Sequence, residues 1–555
     1  MIDRLIYFGL RQRFLIVIAF AVLSAAGVFA FKKLPIDAFP DVTNIQVQVI
    51  TEAAGMSPVE VEKLITYPIE IQMTGLPRLA DMRSLSKFGL SVITIVFDDD
   101  VDIYFARQLV LERLIEAKEK LPEGAEAAMG PVSTGLGEVY QYTLEKPDGT
   151  APTESELIEF RTMQDWIVRP LLKTVPGVTD VNAFGGYVKQ YQVSIDPDKL
   201  RKFNLTVNEV YDAVSINNEN AGGNIIEHVS EQYLVRGIGL IRSIKDIEDI
   251  VVKSRRGTPI LVKDVAGVDI GPETRQGALV KDGKGEAVGG IVMMLRGASS
   301  REVVGGVKAK VAEINTQGIL PDGVTIEPLY DRTDLVKACL KTVTDALGEG
   351  GILVVAVLFL FLGNIRSALI VAATLPVAAL ITFIVMYLAG LTANLMSLGG
   401  LAIAVGMMVD GSVVMIENVF RDLSEKDLEK ESRLHIIFES AKEVGRPIVF
   451  GVIIIIIVFM PLFTLQGMEG KMFSPMAYTI SIALFASLVI SLTLSPVLAS
   501  LFLKGGNDKD VFFLRWIKRV YNPVLAWSLK RKFRVLALAL LALAASLALF
   551  PFLGA

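Results

Sequence analysis

The sequence predicts an α+β membrane protein, in which a helical transmembrane bundle is joined to a large folded region of strands and helices outside the bilayer. Three observations point to this class. The 555 residues are 52% hydrophobic and 21% charged, a balance that suits neither an ordinary soluble protein nor a chain embedded throughout. Long hydrophobic blocks occur towards both ends of the sequence. The region between Phe31 and Gly350 instead alternates strand-like and helix-like patterns.

Seven hydrophobic blocks predict transmembrane helices, because each is long enough, alone or extended by a polar helix, to cross a bilayer. The first follows three arginines, as the apolar part of a signal peptide would, but it ends without a small-residue cleavage site. We therefore predict an uncleaved first span. The second block is short, and we expect a polar helix from about Asp334 to run into it. The blocks are Phe14–Phe31, Gly350–Gly363, Ser367–Leu388, Leu395–Ile416, Pro447–Leu465, Met476–Leu503 and Val535–Leu553.

The distribution of Lys and Arg predicts the orientation of these helices. The connections Lys504–Arg534 and Arg421–Arg446 are rich in basic residues, whereas Ala389–Asn394 has none. Basic connections stay on the cytoplasmic side. We therefore expect the N-terminus and both basic connections in the cytoplasm, and the region between Phe31 and Gly350 on the opposite face.

That outer region predicts repeated split β-α-β modules. Alternating residues indicate strands, and a capping box that begins at Ser57, with proline next to it, indicates a helix start. A strand–helix–strand–strand–helix series recurs from Glu138, and the stretch from about Val188 to Gly271 interrupts it as an inserted subdomain. The other predicted elements are strands at Thr43–Thr51 and Leu90–Phe97, helices at Asp102–Lys120 and from near Thr206, and a strand–helix–strand group at Val288–Pro328.

Asp410 is the main candidate functional residue, because it lies inside the predicted span Leu395–Ile416. A charge in that position costs several kcal/mol unless it is paired, so such residues are rare and usually functional. Glu417 follows seven residues later, which places both carboxylates on one helix face. Gly406 and Gly411 predict close packing against a neighbouring helix. The alternatives are a structural ion pair for Asp410 and an interfacial structural role for Glu417.

Three methionines on the same helix, Met396, Met408 and Met415, allow two interpretations. Thioether sulfur suits soft monovalent cations such as Cu(I). Methionine also fills irregular contacts between helices. The pattern favours packing and leaves a metal role open.

The sequence gives little support for other energy sources, such as ATP hydrolysis, or for other kinds of functional site. The chain has one cysteine and two histidines, too few for a disulfide framework or a His/Cys metal cluster. No phosphate-binding G-x-x-x-x-G-K-[ST] motif occurs, and no second span contains a central aspartate for an intramembrane protease. The net charge of −5 gives no reason to expect nucleic acid. We predict a transporter that is not an enzyme and needs no cofactor.

Several motifs resemble those of resistance–nodulation–division (RND) pumps, in the heavy-metal efflux branch of the Czc and Cus type. In the outer region the similar segments are L-P-I-D-A-F-P-D-V-T-N-I-Q-V-Q from Leu34, T-Y-P-I-E from Thr66, R-S-L-S-K-F-G-L-S from Arg83, D-I-Y-F-A-R-Q-L-V from Asp102 and G-P-V-S-T-G-L-G-E from Gly130. In the membrane, A-N-L-M-S-L-G-G-L-A-I-A-V-G-M-M-V-D-G-S-V-V-M-I-E-N, from Ala393, is similar to the family's fourth transmembrane helix.

The resemblance implies a homotrimeric pump in the bacterial inner membrane, driven by protons and joined to a periplasmic adaptor and an outer-membrane channel. Asp410 would be the relay aspartate, with Glu417 downstream, and Glu138 a carboxylate of an outer metal site. The implied domains are an N-terminal segment with the first span (1–34), a first porter module (35–132), a second porter module in two parts (133–187 and 272–333), an inserted docking subdomain (188–271), spans two to six (334–503), a cytoplasmic connection (504–534) and a seventh span (535–555).

Departures from the family pattern leave the substrate and the completeness of the pump open. Divalent-metal members begin the motif before Asp410 with D-F-G, whereas this chain has Ala404-Val405-Gly406, as in the copper/silver type. The methionine ladder of that type is incomplete, with Thr274 at one of its positions. Family members are about twice as long, so a second half would supply the main metal cleft and the basic partner of Asp410. The alternatives are an exporter of organic compounds and a half subunit that needs a second chain to transport.

Overall fold

The computed structural model describes residues 2–255, 257–275, 277–362, 364–425, 432–503 and 512–549. The chain forms two compact units, one of Met1–Thr43 with Asp334–Ala555 and one of Asn44–Thr333. We call them the helical unit and the sheet unit. All strands of the described residues lie in the sheet unit. The predicted α+β class is confirmed, while the position of either unit relative to a bilayer stays a prediction.

The helical unit contains, within the described ranges, seven helical segments that are long and apolar enough to cross a membrane. They coincide with the seven predicted blocks, and the second begins at Arg332, so its polar extension is confirmed. Residues 426–431 and 504–511 of the predicted connections, and 550–555 of the last span, lie outside the described residues. The helices are Ile2–Arg11, Arg13–Lys33, Arg332–Leu362, Ile365–Leu388, Leu395–Glu425, Arg433–Phe459, Gly467–Leu492, Leu494–Phe502, Phe512–Lys530 and Lys532–Leu549.

Two of these helices were not predicted from the sequence. Ile2–Arg11 precedes the first span and buries Ile6 and Leu10 on one side. Phe512–Lys530 occupies most of the connection that was predicted only as a basic cytoplasmic segment. Both helices mix basic and apolar residues along one segment, so a search for continuous apolar runs passes over them.

The segment 35–43 belongs to the helical unit, whereas the first porter module is predicted to begin at residue 35. The Asp37 amide donates to the Ala393 carbonyl at 3.1 Å, and the Ala393 amide donates to the Pro35 carbonyl at 2.9 Å. Ile36 and Ala38 are buried in the same apolar cluster as Met386. These contacts attach the segment to the start of helix Leu395–Glu425.

The sheet unit repeats one arrangement twice. Its strands are β1 Ile45–Glu52, β2 Leu79–Lys87, β3 Leu90–Phe97, β4 Glu126–Met129, β5 Glu138–Glu145, β6 Val178–Gly185, β7 Lys189–Ile195, β8 Ala221–His228, β9 Glu231–Gly237, β10 Val251–Arg255, β11 Thr258–Leu261, β12 Ala266–Pro272, β13 Leu279–Lys281, β14 Gly285–Met294 and β15 Thr325–Asp331. The first sheet has the order β2-β3-β1-β4, and the second pairs β6 with β14, β14 with β5 and β5 with β15. Both orders are antiparallel and equivalent, as a split β-α-β module requires.

Helices connect the strands of each module at equivalent places. In the first module, Ser57 caps Pro58–Val61 in the predicted capping box, and Asp102 caps Ile103–Lys118. Each first connection also contains a π-helical turn that ends two residues before a proline. The helices and helical turns of the two modules are Pro58–Val61, Glu62–Thr66, Tyr67–Met73 and Ile103–Lys118, then Glu154–Met163, Gln164–Val168, Arg169–Lys173 and Ser300–Gln317.

The chain between β6 and β13 forms the inserted subdomain, which was predicted at 188–271, and β13 itself pairs with β14 in the second sheet. β7 pairs with β12, β8 with β9 and β10 with β11, and two small apolar clusters give this part a core of its own. The Lys253 ammonium donates to the Glu209 carboxylate, which also caps the helix Val207–Ile216 together with Thr206. These bonds, the one from Lys253 foremost, lower the pKa of Glu209 to about 2. The predicted docking role of this subdomain, like the predicted domain bounds, stays a prediction.

Candidate functional site

Asp410 and Glu417 lie on one face of the helix Leu395–Glu425, which we call the Asp410 helix. Five exposed residues follow each other along this face at spacings of three or four positions, so they form one continuous stripe. Ile403 and Val414 are 51% and 44% exposed although they are aliphatic. The stripe consists of Ile403, Gly406, Asp410, Val414 and Glu417, and the exposed Arg421, which donates to the Asn418 side chain, follows four positions later.

No described Lys or Arg forms an ion pair with Asp410 or Glu417. The ion pairs that the described part of the Asp410 helix and its neighbour Arg433–Phe459 do make involve other carboxylates, such as Asp422 and Glu439. The alternative of an ion pair that holds Asp410 against another helix therefore has no partner within the described residues. The side chain of Asp410 is instead exposed, so it is accessible to a basic group that is not among the described residues.

The opposite face of the Asp410 helix packs against the helices Gly467–Leu492 and Leu494–Phe502, and this packing sets its rotation. The Ser487 hydroxyl donates to the Met408 carbonyl at 2.6 Å, and the hydroxyls of Ser412 and Ser495 are 3.2 Å apart. Hydroxyl groups in an apolar bundle are satisfied by such contacts across helices. Ser412 faces the bundle. Asp410 precedes it by two residues, which is about 200° around the helix, so Asp410 faces away from the bundle.

The glycines of this helix have different surroundings. A Cβ at Gly400 would lie 2.8 Å from the Met476 carbonyl oxygen, and one at Gly411 would lie 3.2 Å from Ile448 Cγ2. Gly411 therefore packs closely, as expected. Gly406 does not: a Cβ there would meet no described atom within 4 Å, because Gly406 lies on the exposed stripe one turn before Asp410. Gly400 is a close-packing glycine that was not predicted from the sequence.

A buried polar network ties the last turns of the Asp410 helix to the helix Arg433–Phe459. The Ser440 hydroxyl donates to the carboxylate of Asp422, whose side chain is 9% exposed. The Asn418 amide donates to the Ser440 carbonyl at 3.0 Å and accepts from Arg421. This network was not predicted from the sequence, although Asn418 and Asp422, two polar residues four positions apart on an otherwise apolar face, indicate it.

The three methionines do not line the stripe that carries Asp410. Met408 and Met415 are 2% and 0% exposed in the main apolar cluster of the helical unit, and Met396 is half-buried. In the part of the chain that the structure describes, no group of three or more His, Cys, Asp or Glu side chains could hold a metal ion. Burial among aliphatic side chains favours packing, and a metal role for these thioethers stays a prediction.

Glu138 begins β5 in the sheet unit and is exposed. Its carboxylate accepts a long hydrogen bond of 3.4 Å from the Gln141 amide, and its backbone pairs with Met293 of β14. A carboxylate beside a thioether is compatible with a soft or borderline cation, but no group of three or more His, Cys, Asp or Glu side chains that could hold a metal ion occurs among the described residues. The outer-site role of Glu138 stays a prediction.

The sequence model of the AcrB/AcrD/AcrF family matches residues 5–555. The "Cation efflux system protein CzcA" of Alcaligenes sp. (strain CT14) is 46% identical over 100% of this chain and 53% of its own length. The "Cation efflux system protein CusA" of Escherichia coli (strain K12) is 38% identical over 95% of this chain and 50% of its own length. The chain thus spans about half the length of the curated relatives it matches.

A solved structure gives the same result for the fold. The crystal structure of "a heavy metal efflux pump, crystal form I" superposes with a TM-score of 0.84 at 37% identity, over 98% of this chain and 52% of that one. The resemblance in the motifs around Asp410 is therefore matched along the whole chain. The chain belongs to the AcrB/AcrD/AcrF family of RND permeases, in the heavy-metal efflux branch.

Proposed function

We propose that the chain is part of a proton-driven exporter of heavy-metal cations in the inner membrane, and that Asp410 binds and releases the transported proton. The observation that carries the proposal is the position of Asp410: an ionisable side chain within an apolar helix, on its exposed stripe, with no ion-pair partner among the described residues. A charge in such a place is costly, so it is retained for function rather than for stability.

The chemistry of a carboxylate at this position suits a proton carrier. Desolvation favours the protonated form, and an approaching cation favours the ionised form. Asp410 can therefore change its proton occupancy when a basic group moves towards or away from the exposed stripe. Glu417, seven residues on and about 10 Å further along the helix, is a second proton-binding group on the same stripe.

The basic group that completes this switch lies outside the described chain in our proposal. The exposed aliphatic residues of the stripe, Ile403 and Val414, are expected to be covered in the working pump, because apolar helix faces of this kind pack against other helices or lipid. We propose that a further helix with a Lys or Arg covers them. This chain would then transport only together with the remaining half of the pump.

The substrate proposal follows the names of the relatives. One of them, at 46% identity over 53% of its length, is the "Cobalt-zinc-cadmium resistance protein CzcA" of Cupriavidus metallidurans (strain ATCC 43123 / DSM 2839 / NBRC 102507 / CH34). We propose a heavy-metal cation, from copper and silver or from zinc, cobalt, cadmium and nickel, exchanged for protons by a secondary antiporter. The sheet unit would be periplasmic, and the partners would be two further copies of the pump, a periplasmic adaptor and an outer-membrane channel.

The experiment is growth of a metal-sensitive strain that expresses the assembled pump with Asp410→Asn. This change removes the titratable group and keeps the side-chain volume. We expect loss of resistance to the exported metal at unchanged protein abundance. Asp212→Asn, the same chemical change at an exposed position of the sheet unit, is the matched control and should leave resistance intact. Full resistance with Asp410→Asn would refute the proton role.

A further inference from the structure

The start of the Asp410 helix is bonded to the segment 35–43. The Leu395 amide donates to the Ala38 carbonyl at 3.1 Å, and Ile36 pairs with Ala393 in a parallel β-bridge. The first amides of a helix lack partners within the helix itself, so this bond attaches the Asp410 helix at its first turn. Ala38 and Ala393 are both 0% exposed. The segment and the start of the helix therefore form one packed body.

Both the helix and the segment are stiff. Leu395 and Asp410 lie on one continuous helix without a proline between them, about 22 Å apart along its axis. The segment contains Pro35 and Pro40, and the proline ring fixes the backbone angle φ of its own residue. Coupling between distant sites is carried by rigid elements that are packed against each other. A displacement of the helix at Asp410 can therefore reach the end of the segment.

The segment ends where the chain passes from the helical unit to the sheet unit, between Thr43 and Asn44. The Lys471 ammonium donates to the Thr43 carbonyl at 3.2 Å, within the helical unit. The Arg296 guanidinium donates to the Asn44 carbonyl at 3.0 Å, within the sheet unit. Consecutive Cα atoms are about 3.8 Å apart, so the chain has no slack between these two attachments. The strand β1 begins at the next residue, Ile45.

Lys471 connects the same junction to a second helix that packs against the Asp410 helix. It belongs to Gly467–Leu492, whose Ser487 hydroxyl donates to the Met408 carbonyl at 2.6 Å. That bond lies two residues from Asp410 in the sequence. Thr43 is therefore connected to the surroundings of Asp410 twice, through the segment 35–43 and through Lys471.

We propose that the segment 35–43 transmits a change of proton occupancy at Asp410 to the first module of the sheet unit, and that Lys471 is a positioning residue that fixes Thr43 to the helical unit. The inference rests on the proposed function, because Asp410 must bind and release a proton. A basic group that approaches or leaves Asp410 displaces the helix, and small displacements of packed elements are amplified into larger changes. Without the segment, the change stays within the helical unit.

Hydrogen exchange of the assembled pump in lipid nanodiscs, followed by mass spectrometry, measures both ends of this route. The unchanged pump is compared with Asp410→Asn, which keeps the side chain neutral as a bound proton would. Both are measured at the same pH, so the intrinsic exchange chemistry is identical. We expect Asp410→Asn to change the exchange rates at the first turn of the Asp410 helix and in β1, each by about fivefold or more.

Two glycines inserted between Thr43 and Asn44 should separate the two ends of the route. With this insertion, Asp410→Asn should still change exchange at the first turn of the Asp410 helix but no longer in β1. The same insertion between Thr150 and Ala151, an exposed connection of the sheet unit, is the matched control and should preserve both effects. Lys471→Gln should weaken the effect on β1 several-fold, and Lys471→Arg, which retains a cationic donor, should restore it.

A disulfide tests whether the segment and the helix start move as one body. Ile36→Cys/Ala393→Cys, with the native thiol removed by Cys339→Ser, joins two residues that already pair. Metal-dependent proton flux of the assembled pump in liposomes should be the same with the disulfide formed and reduced. A loss of flux that a reductant reverses would contradict the proposal, because the two residues would then have to separate during transport.

Different results would overturn the transmission route and the proton role. An effect of Asp410→Asn on β1 that is equal with and without the inserted glycines would show that the signal takes another path. An effect confined to the Asp410 helix in the unchanged pump would show that the segment transmits nothing. Unaltered exchange throughout the chain in Asp410→Asn, together with undiminished proton flux, would instead refute the proton role of Asp410, and the route with it.

Discussion

Gly400 and Gly406 lie on different faces of the Asp410 helix, so the same substitution by alanine has different expected effects on its stability. Alanine favours a helix over glycine by about 1 kcal/mol, and this gain applies at both sites. At Gly400 the new Cβ would lie 2.8 Å from the Met476 carbonyl oxygen, whereas ordinary contacts begin at 3.4 Å. The two backbones must therefore separate by about 0.6 Å, the difference between these distances.

Such overpacking costs about 1–3 kcal/mol. Gly400→Ala should therefore leave the bundle up to about 2 kcal/mol less stable, since the helix-propensity gain offsets part of the cost. Gly406→Ala should make it about 1 kcal/mol more stable, because a Cβ there meets no described atom within 4 Å. The difference in unfolding free energy between the two variants should be about 1–3 kcal/mol. This difference reports the packing alone, because the helix-propensity gain is the same at both sites and cancels.

The assay is unfolding of the full chain in detergent micelles, by heat and by SDS titration, followed by circular dichroism. Gly400→Ala should unfold at a lower temperature than the unchanged chain, and Gly406→Ala at the same or a higher one. Equal stability of the two variants would contradict the packing described for Gly400. A strongly destabilised Gly406→Ala would show that its face is already covered.

Four further predictions concern other contacts. Ser440→Ala should destabilise the helical unit by about 1–3 kcal/mol, because the buried Asp422 carboxylate loses a hydrogen-bond donor. The control is Ser424→Ala, which removes a hydroxyl that donates to the Phe420 carbonyl of its own helix. It should reduce the stability less in the same unfolding experiments. Glu209→Gln should lower the stability of the inserted subdomain above about pH 4.5. The difference in stability between the variant and the unchanged chain should disappear as the pH falls through the folded pKa of Glu209, about 2. Hydrogen exchange measured against pH checks this, and a stability difference that grows towards acid would refute it. Met415→Leu should keep the fold within about 1.5 kcal/mol and leave metal resistance unchanged, and loss of resistance in a folded variant would instead assign the thioether to the cation path. Gly406→Leu should fold normally yet reduce transport, since its side chain would keep a covering helix away from Asp410; unimpaired metal efflux would argue against such a helix.

Local patterns sufficed for much of the fold. The period-two alternation of β1 and β3 and the capping box at Ser57 specify their elements without tertiary information. The seven-residue spacing of Asp410 and Glu417 likewise places both on one face. Which face is exposed depends on the neighbours, and no local pattern distinguishes Gly406, on the open stripe, from Gly411, beside Ile448.

Features that depend on distant contacts could not be predicted. The attachment of segment 35–43 to the helical unit rests on backbone hydrogen bonds to residues near Ala393, which are distant in sequence. The network of Asp422 with Ser440 joins two helices. The helix Phe512–Lys530 mixes basic and apolar residues, so neither a continuous apolar run nor a count of charges identifies it.

The central claim is that Asp410 carries the proton that drives metal export. Its most direct test is a proton-flux measurement on the assembled pump in liposomes, with a pH-sensitive dye inside and the exported metal added to start transport. The unchanged pump and Asp212→Asn should show a metal-dependent pH change, and Asp410→Asn should show none while it still binds metal. An undiminished pH change with Asp410→Asn would contradict the account.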